Sequence, residues 1–177
     1  MLFEGGSKII LGEKDWHCAA NLPYYVTTPI LLTLIQSGLP ISLFVFMMQK
    51  EVADRILAAP GSKDYGALTL AVQFDCTVER VIDIPPTDFI PRPQVTSTVL
   101  KICRREKPAV EVKDRKLFFS LVKMGFFTNA MKAGGISADM VKAILEKADI
   151  DGSRRGETFS MEEYGRMADA WYELMHE

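Results

Sequence analysis

The sequence predicts an α/β protein whose sheet finishes in antiparallel strands and is followed by a small all-helical C-terminal part. Three observations carry this. Residues 16 to 59 alternate strand, helix, strand, helix, the pattern of a parallel sheet with crossover helices. Residues 67 to 102 contain three apolar, β-favouring runs with only short turns between them, which implies antiparallel pairing. From Val112 onward the apolar residues recur at helical spacing.

The elements follow in order. Trp16 to Ala20 is a short apolar run stopped by Asn21-Leu22-Pro23, consistent with a buried strand ending at its C-terminal edge. Residues 28 to 37 read as a helix with Thr28 as N-cap and Pro29 in the first turn, closed near Gly38 and Pro40. Ser42 to Met48 is continuously apolar, so Phe44, Phe46, Met47 and Met48 are assigned to strand core, and Lys50 to Ala59 is the next helix. Ala67 to Phe74, Val78 to Ile84 and Val95 to Ile102 are the three later strands. Helices are expected over 114 to 125, 137 to 148 and 161 to 175, the last opened by a capping box of Ser160 with Glu163. The domain boundary is placed at the Pro108 linker, dividing 1–107 from 108–177.

Composition narrows the function classes. With 177 residues, 48 % of them apolar, the chain can bury a sizeable core. No apolar run reaches the length of a membrane span and the N-terminus has no signal-peptide pattern, so the expected location is the cytoplasm, with no membrane partner. Cys18, Cys76 and Cys103 lie far apart with no C-x-x-C pair, which argues for three free buried thiols and against a zinc site; no metal is expected. Asp149, Asp151 and Gly152 do not complete a calcium loop and read as a helix-ending turn. His17, with no second histidine near it, reads as a packed core residue. A net charge of −2 gives no overall pull toward nucleic acid, so RNA contact would need a local basic patch. Lys101, Arg104, Arg105 and Lys107 form one such run, and Lys113, Arg115, Lys116 and Lys123 another; solvated surface is the plain alternative. Arg154 and Arg155 are open to either an RNA or a helix-bracing role.

The chemistry lies in Asn21-Leu22-Pro23-Tyr24-Tyr25 at a strand's C-terminal end, where open α/β sheets place ligands. The exocyclic amine of adenine is a poor nucleophile because its lone pair is delocalised into the ring. A site that accepts both amine hydrogens, one on the Asn21 side-chain oxygen and one on a backbone carbonyl such as that of Leu22, localises the pair again. Pro23 holds Leu22 extended and aims that carbonyl before any ligand arrives. Tyr24 can then stack on a base swung out of its helix. Phe89-Ile90-Pro91-Arg92-Pro93 is a second, proline-stiffened loop that presents Phe89 to the other face of a base. Taken singly, the first motif is also compatible with an ordinary turn and the second with a packed loop.

In sequence these segments resemble the ribosomal-RNA adenine N,N-dimethyltransferases, the dimethyladenosine transferases of the small subunit. The resemblance runs from Trp16 to Trp171 and includes Asn21 to Tyr25 with Thr27-Thr28-Pro29, then Gln49 to Arg55, Tyr65-Gly66, Val72-Gln73-Phe74, Phe89 to Ser97, and Arg155-Gly156-Glu157. It implies a Rossmann-like class I methyltransferase sheet, of which this chain supplies the C-terminal half. It implies transfer of two methyl groups to each of two adjacent adenosines of small-subunit RNA, with S-adenosylmethionine as donor and the immature 30S particle as partner. Asn21, Leu22, Pro23, Tyr24 and Phe89 would then be the catalytic set, with Asn21 also meeting the donor and the two rings sandwiching the adenine. Arg92, Arg104 and Arg105 are the candidate RNA contacts. The family's Gly-rich donor turn and its acidic residues are not found; Gly5-Gly6 is read as a plain turn, and a basic run usual between the positions of Phe126 and Phe127 is missing. The chain by itself is therefore expected to be inactive. Two rivals stay open: a non-catalytic small-subunit assembly or RNA-binding module, and a DNA adenine methyltransferase.

Overall fold

A computed structural model of the protein describes residues 8–11, 15–125 and 136–177. The Gly5-Gly6 turn and the junction of Phe126 with Phe127 lie outside the described residues. Contacts divide the chain into two compact units, Met1–Leu57 with Asp75–Glu106, and Ala58–Phe74 with Lys107–Glu177.

The first unit is a five-stranded mixed sheet with helices. Its strands are β1 (Lys8–Leu11), β2 (Trp16–Asn21), β3 (Ile41–Gln49), β4 (Cys76–Ile84) and β5 (Ser97–Arg104), in the spatial order β1-β2-β3-β5-β4. Helix α1 (Thr27–Gln36) crosses from β2 to β3, which run parallel, and helix α2 (Lys50–Leu57) follows β3 directly. β5 enters antiparallel between β3 and β4, and β1 pairs antiparallel with the free side of β2. Along β3, Phe44, Phe46 and Met48 are fully buried while the residues between them are half-buried, so one face of that strand carries the deepest burial. Met47, assigned to the core, is among the half-buried ones.

Helix α1 begins one residue earlier than the sequence suggests, at Thr27, and Thr28 is not its cap. The short 3-10 turn Tyr24–Val26 runs straight into the helix, and no side chain caps it. Its other end closes as expected: Gly38 takes the left-handed φ of 71° that glycine adopts freely. His17 was expected in the core, yet it is exposed, because only Cys18 of β2 is buried and its neighbours point outward. The cysteines are free, but only Cys18 and Cys76 are buried; Cys103 is half-exposed.

The described elements of the second unit are all helical: α3 (Ala67–Gln73), α4 (Arg115–Gly125), α5 (Ala138–Lys147) and α6 (Met161–Leu174). Here lies the main correction. The sequence predicts a strand of the first domain over residues 67 to 74, and the structure instead forms α3 there, within the helical unit. Leu68, Thr69, Leu70 and Val72 are all buried, so the segment is apolar on most sides, and a short run of that kind carries no periodicity to separate helix from strand. The core packs the rings of Phe74 and Phe118 at 4.6 Å, with Phe118 edge-on to Tyr164. Tyr164 donates to the Gly156 carbonyl and Tyr65 to that of Phe159, so both buried phenols are satisfied. The capping box forms as read, with Ser160 Oγ accepting from the Glu163 amide and Glu163 accepting from the Ser160 amide at 2.7 Å. Asp149, at a φ of 55°, ends α5, and Asp151 accepts from the Ser153 amide in the following turn.

Candidate base-binding site

At the C-terminal edge of the parallel pair β2/β3 the chain leaves the sheet and turns sharply. The Leu22 amide still bonds to the Met47 carbonyl at 3.0 Å, extending the ladder by one residue, and the Leu22 side chain is buried. Pro23 then starts the 3-10 turn. Its carbonyl accepts twice, from the Val26 amide at 3.1 Å and from the Thr27 hydroxyl at 3.0 Å, and Thr27 itself is buried. Of the two carbonyls at this corner, that of Pro23 is therefore consumed by the turn. Among the described residues no hydrogen bond engages the Leu22 carbonyl or the Asn21 carboxamide, and Asn21 is exposed.

Opposite stands the loop between β4 and β5. It opens with a 3-10 turn, Pro86–Asp88, and carries Phe89 and Pro91, with a cis Ile90–Pro91 peptide bond. Asn21, Leu22, Pro23, Tyr24, Phe89, Pro91 and Pro93 together line a cleft of about 310 Å³. All five residues assigned to catalysis from sequence thus share one cavity, within the size range of small-molecule sites. Its polar equipment is the Asn21 carboxamide, the Tyr24 hydroxyl and backbone groups, with two aromatic rings and prolines supplying the rest.

Two features of the site were not read from the sequence. Tyr24 Oη shares a hydrogen bond of 2.8 Å with Ser97 Oγ, 73 residues away and fully buried at the start of β5. On the opposite face of the same strand, Thr98 donates to Asp83 at 2.6 Å, and Asp83 pairs with Arg80 at 2.8 Å and with Lys50 at 3.5 Å. Lys50 and Arg80 also hold Asp54. The Thr98 hydroxyl, then Arg80 and Lys50, keep the Asp83 carboxyl below its usual range. Burial pushes Asp54 upward, but its bonds from Arg80 and Lys50 outweigh that and lower it. This cluster ties α2, β4 and β5 together at the root of the Phe89 loop. No signal in the sequence linked these five residues, because their pairing depends on the β4/β5 register.

The basic candidates separate. Arg92 is exposed on the loop beside the cleft. Arg104 sits at the far end of β5 from Ser97 and donates to the carbonyls of Ile41 at 3.0 Å and Ile35 at 2.9 Å, bracing the end of α1. Arg105 donates to the Cys76 carbonyl and is otherwise at the surface. Lys101, Lys107 and Lys113 face Glu79, Glu111 and Glu173, and Arg115 lies over the Phe74 and Phe119 rings. Arg154 forks onto Glu163 and covers the Phe159 ring at 4.8 Å, which is a bracing role, while Arg155 reaches Glu157 at the surface. Among the described residues no group of acidic, His and Cys side chains is arranged to hold a metal, and no helix is long and apolar enough to cross a membrane.

Residues 9–167 match the family described as ribosomal RNA adenine dimethylase. The chain belongs to that family. A ribosomal RNA small subunit methyltransferase A from Clostridium acetobutylicum is 46 % identical over 172 residues, covering 94 % of this chain and 62 % of that protein. One of the same name from Streptococcus sanguinis is 48 % identical over 161 residues, covering 85 % of this chain and 56 % of its own length. This member of the family thus spans about three-fifths of the curated relatives it matches. Among solved structures, a dimethyladenosine transferase from Plasmodium falciparum superposes with a TM-score of 0.69 at 20 % identity, covering 89 % of this chain and 66 % of the other. The 23S rRNA methyltransferase ErmE gives 0.64 at 21 %, covering 92 % and 67 %. At those identities the likeness shows the fold: α/β, with the mixed sheet and helices of the methyltransferases.

Proposed function

We propose that the cleft receives an adenine of small-subunit ribosomal RNA and prepares its exocyclic amine for methylation, in a protein that forms N6,N6-dimethyladenosine at two adjacent positions during ribosome assembly. One observation carries the reading: an unengaged carboxamide, Asn21, and an unengaged carbonyl, Leu22, open into the same cleft as two aromatic rings. An amine with two hydrogens needs two acceptors and no positive charge nearby. Engaging both hydrogens draws the nitrogen's lone pair out of conjugation and directs it away from the ring, where an electrophilic methyl group is attacked. The rings of Tyr24 and Phe89 replace the stacking that the base loses on leaving its helix, which is worth about 1–3 kcal/mol per base.

The donor in this family is S-adenosylmethionine, which would supply an electrophilic sulfonium methyl group. Among the described residues the cleft lining fits the acceptor base and not the donor's nucleoside: it has no carboxylate for ribose hydroxyls, and its polar side chains are the Asn21 carboxamide and the Tyr24 hydroxyl, the latter bonded to Ser97. The chain acting alone is accordingly proposed to bind RNA without binding the donor or transferring methyl groups. The first unit is read as the base-receiving part of a Rossmann-like sheet and the helical unit as the ribosome-docking part, with Arg92 touching RNA phosphate beside the cleft.

The experiment is equilibrium binding to small-subunit particles lacking the modification, with duplex DNA as competitor and labelled donor present. Particle binding that falls on Asn21→Ala and Phe89→Ala supports the proposal. Preference for duplex DNA, or binding indifferent to both substitutions, overturns it. Particle binding that is insensitive to these substitutions but strong would instead favour an assembly module that docks through its helices.

A further inference from the structure

We propose that Ser97 is a positioning residue for the base clamp: its hydroxyl latches the outer end of the Tyr24 ring and so sets the plane against which the adenine stacks. The inference rests on the base-binding reading above. Tyr24 is held at two ends. Its backbone belongs to the 3-10 turn, fixed by the doubly used Pro23 carbonyl. Its phenol oxygen lies 2.8 Å from Ser97 Oγ. A phenol ring pinned at Cβ and at Oη loses its swing about χ1, and because a phenol oxygen donates and accepts close to the plane of its ring, the bond to Ser97 also favours one ring plane about χ2, the freedom that a ring stacking on a base otherwise gives up on binding.

The anchor is rigid for reasons visible in the sheet. Ser97 is fully buried and is the first residue of β5, where it is paired on one side with Gln49 of β3 and on the other with Ile84 of β4. Its neighbour Thr98 points to the opposite face and is held by Asp83, itself in the cluster with Arg80 and Lys50. The Lys50 amide also donates to the Thr96 carbonyl at 2.9 Å, immediately before Ser97. The Phe89 loop ends at this same point, since it joins Ile84 to Ser97. One short stretch of β5 therefore fixes the Tyr24 ring directly and the root of the Phe89 loop covalently, so the spacing between the two rings is set by the sheet.

The test uses the whole chain and a short single-stranded RNA carrying 2-fluoroadenosine, which keeps the 6-amino group and reports stacking through its 19F shift. Tyr24→Phe keeps the ring and removes the latch; Ser97→Ala removes the partner; the double variant removes both. Each single change is expected to weaken binding about three- to tenfold, the effect of one hydrogen bond, and to reduce the bound-state shift. The double variant should be no weaker than either single one. Tyr24→Phe binding like the parent chain, or losses in the double variant that multiply, would refute the latch. Tyr24→Ala separates the two claims: if it weakens binding while Tyr24→Phe does not, the clamp stands and the latch falls. If the parent chain shows no bound shift, or Tyr24→Ala leaves it unchanged, the base-binding reading falls and the latch with it. Tyr24 is partly exposed, so its variants keep the test valid should Ser97→Ala fail to fold.

Discussion

Arg104 offers the sharpest contrast between what a charge cluster suggests and what a structure assigns. Its two hydrogen bonds end on the Ile35 carbonyl, in the last turn of α1, and on the Ile41 carbonyl at the start of β3. The Ile35 group is one of the four carbonyls that an α-helix cannot satisfy itself, and a guanidinium there also meets the negative end of the helix dipole. Replacement by methionine keeps much of the apolar stem and strands both acceptors. A hydrogen bond to a charged group contributes about 1.5–3 kcal/mol, and partial exposure lets water replace part of each, so a combined loss of about 2–4 kcal/mol is expected. With a urea dependence of about 2 kcal/mol per molar, the midpoint should fall by about 1–2 M. Trp16 lies in the same unit, so urea titration followed by tryptophan fluorescence in a Trp171→Phe background reports on that unit. RNA affinity measured in buffer should stay within about twofold of the parent chain. An unchanged midpoint combined with a clear loss of RNA affinity would refute this account and restore Arg104 as a nucleic-acid contact.

Further expectations concern the rest of the fold. Asp83 and Glu163 are held below the usual carboxylate range by the Thr98 hydroxyl with Arg80, and by Arg154, respectively. Lowered acids favour the folded state in their ionised form, so this stability is complete at neutral pH and disappears as the pH falls through about 4 and below. Arg154→Met should flatten the decline in urea midpoint of the helical unit between pH 6 and pH 3, and an unaltered slope would count against the pairing. Burial raises the Cys18 thiol and pushes that of Cys76 up to about 11, so a thiol reagent at pH 8 should modify Cys103 first; more than one fast equivalent would contradict the burial. Gly165 lies inside α6, where alanine ordinarily adds up to about 1 kcal/mol of helix stability. A Cβ there would come within 2.7 Å of Val110 Cγ2, so Gly165→Ala should instead cost about 1 kcal/mol in thermal or urea unfolding, partly recovered by adding Val110→Ala.

Much of this was legible from residues alone because it depends on short-range chemistry. The Asn21-Leu22-Pro23-Tyr24 corner sits where a parallel strand ends, proline stiffens it, and its acceptors suit an amine; none of that requires knowing the rest of the chain. Ser160 and Glu163 likewise cap α6 within a single turn of helix. The failures have an equally plain cause. Residues 67 to 74 are apolar on nearly every side, so the choice between strand and helix fell to the partners they pack against, Tyr65 and Phe118 among them. His17 turned outward because the burial of a strand's face is decided by what covers it. Ser97, Thr98, Asp83 and Arg80 come together only through the pairing of β4 with β5, whose register is a property of the assembled sheet. Sequence by itself determined the Asn21-Leu22-Pro23-Tyr24 corner and the acceptor groups it carries. The tertiary structure decided which arginine became a brace and which serine bonds the Tyr24 hydroxyl, because each of these is a contact between segments far apart along the chain.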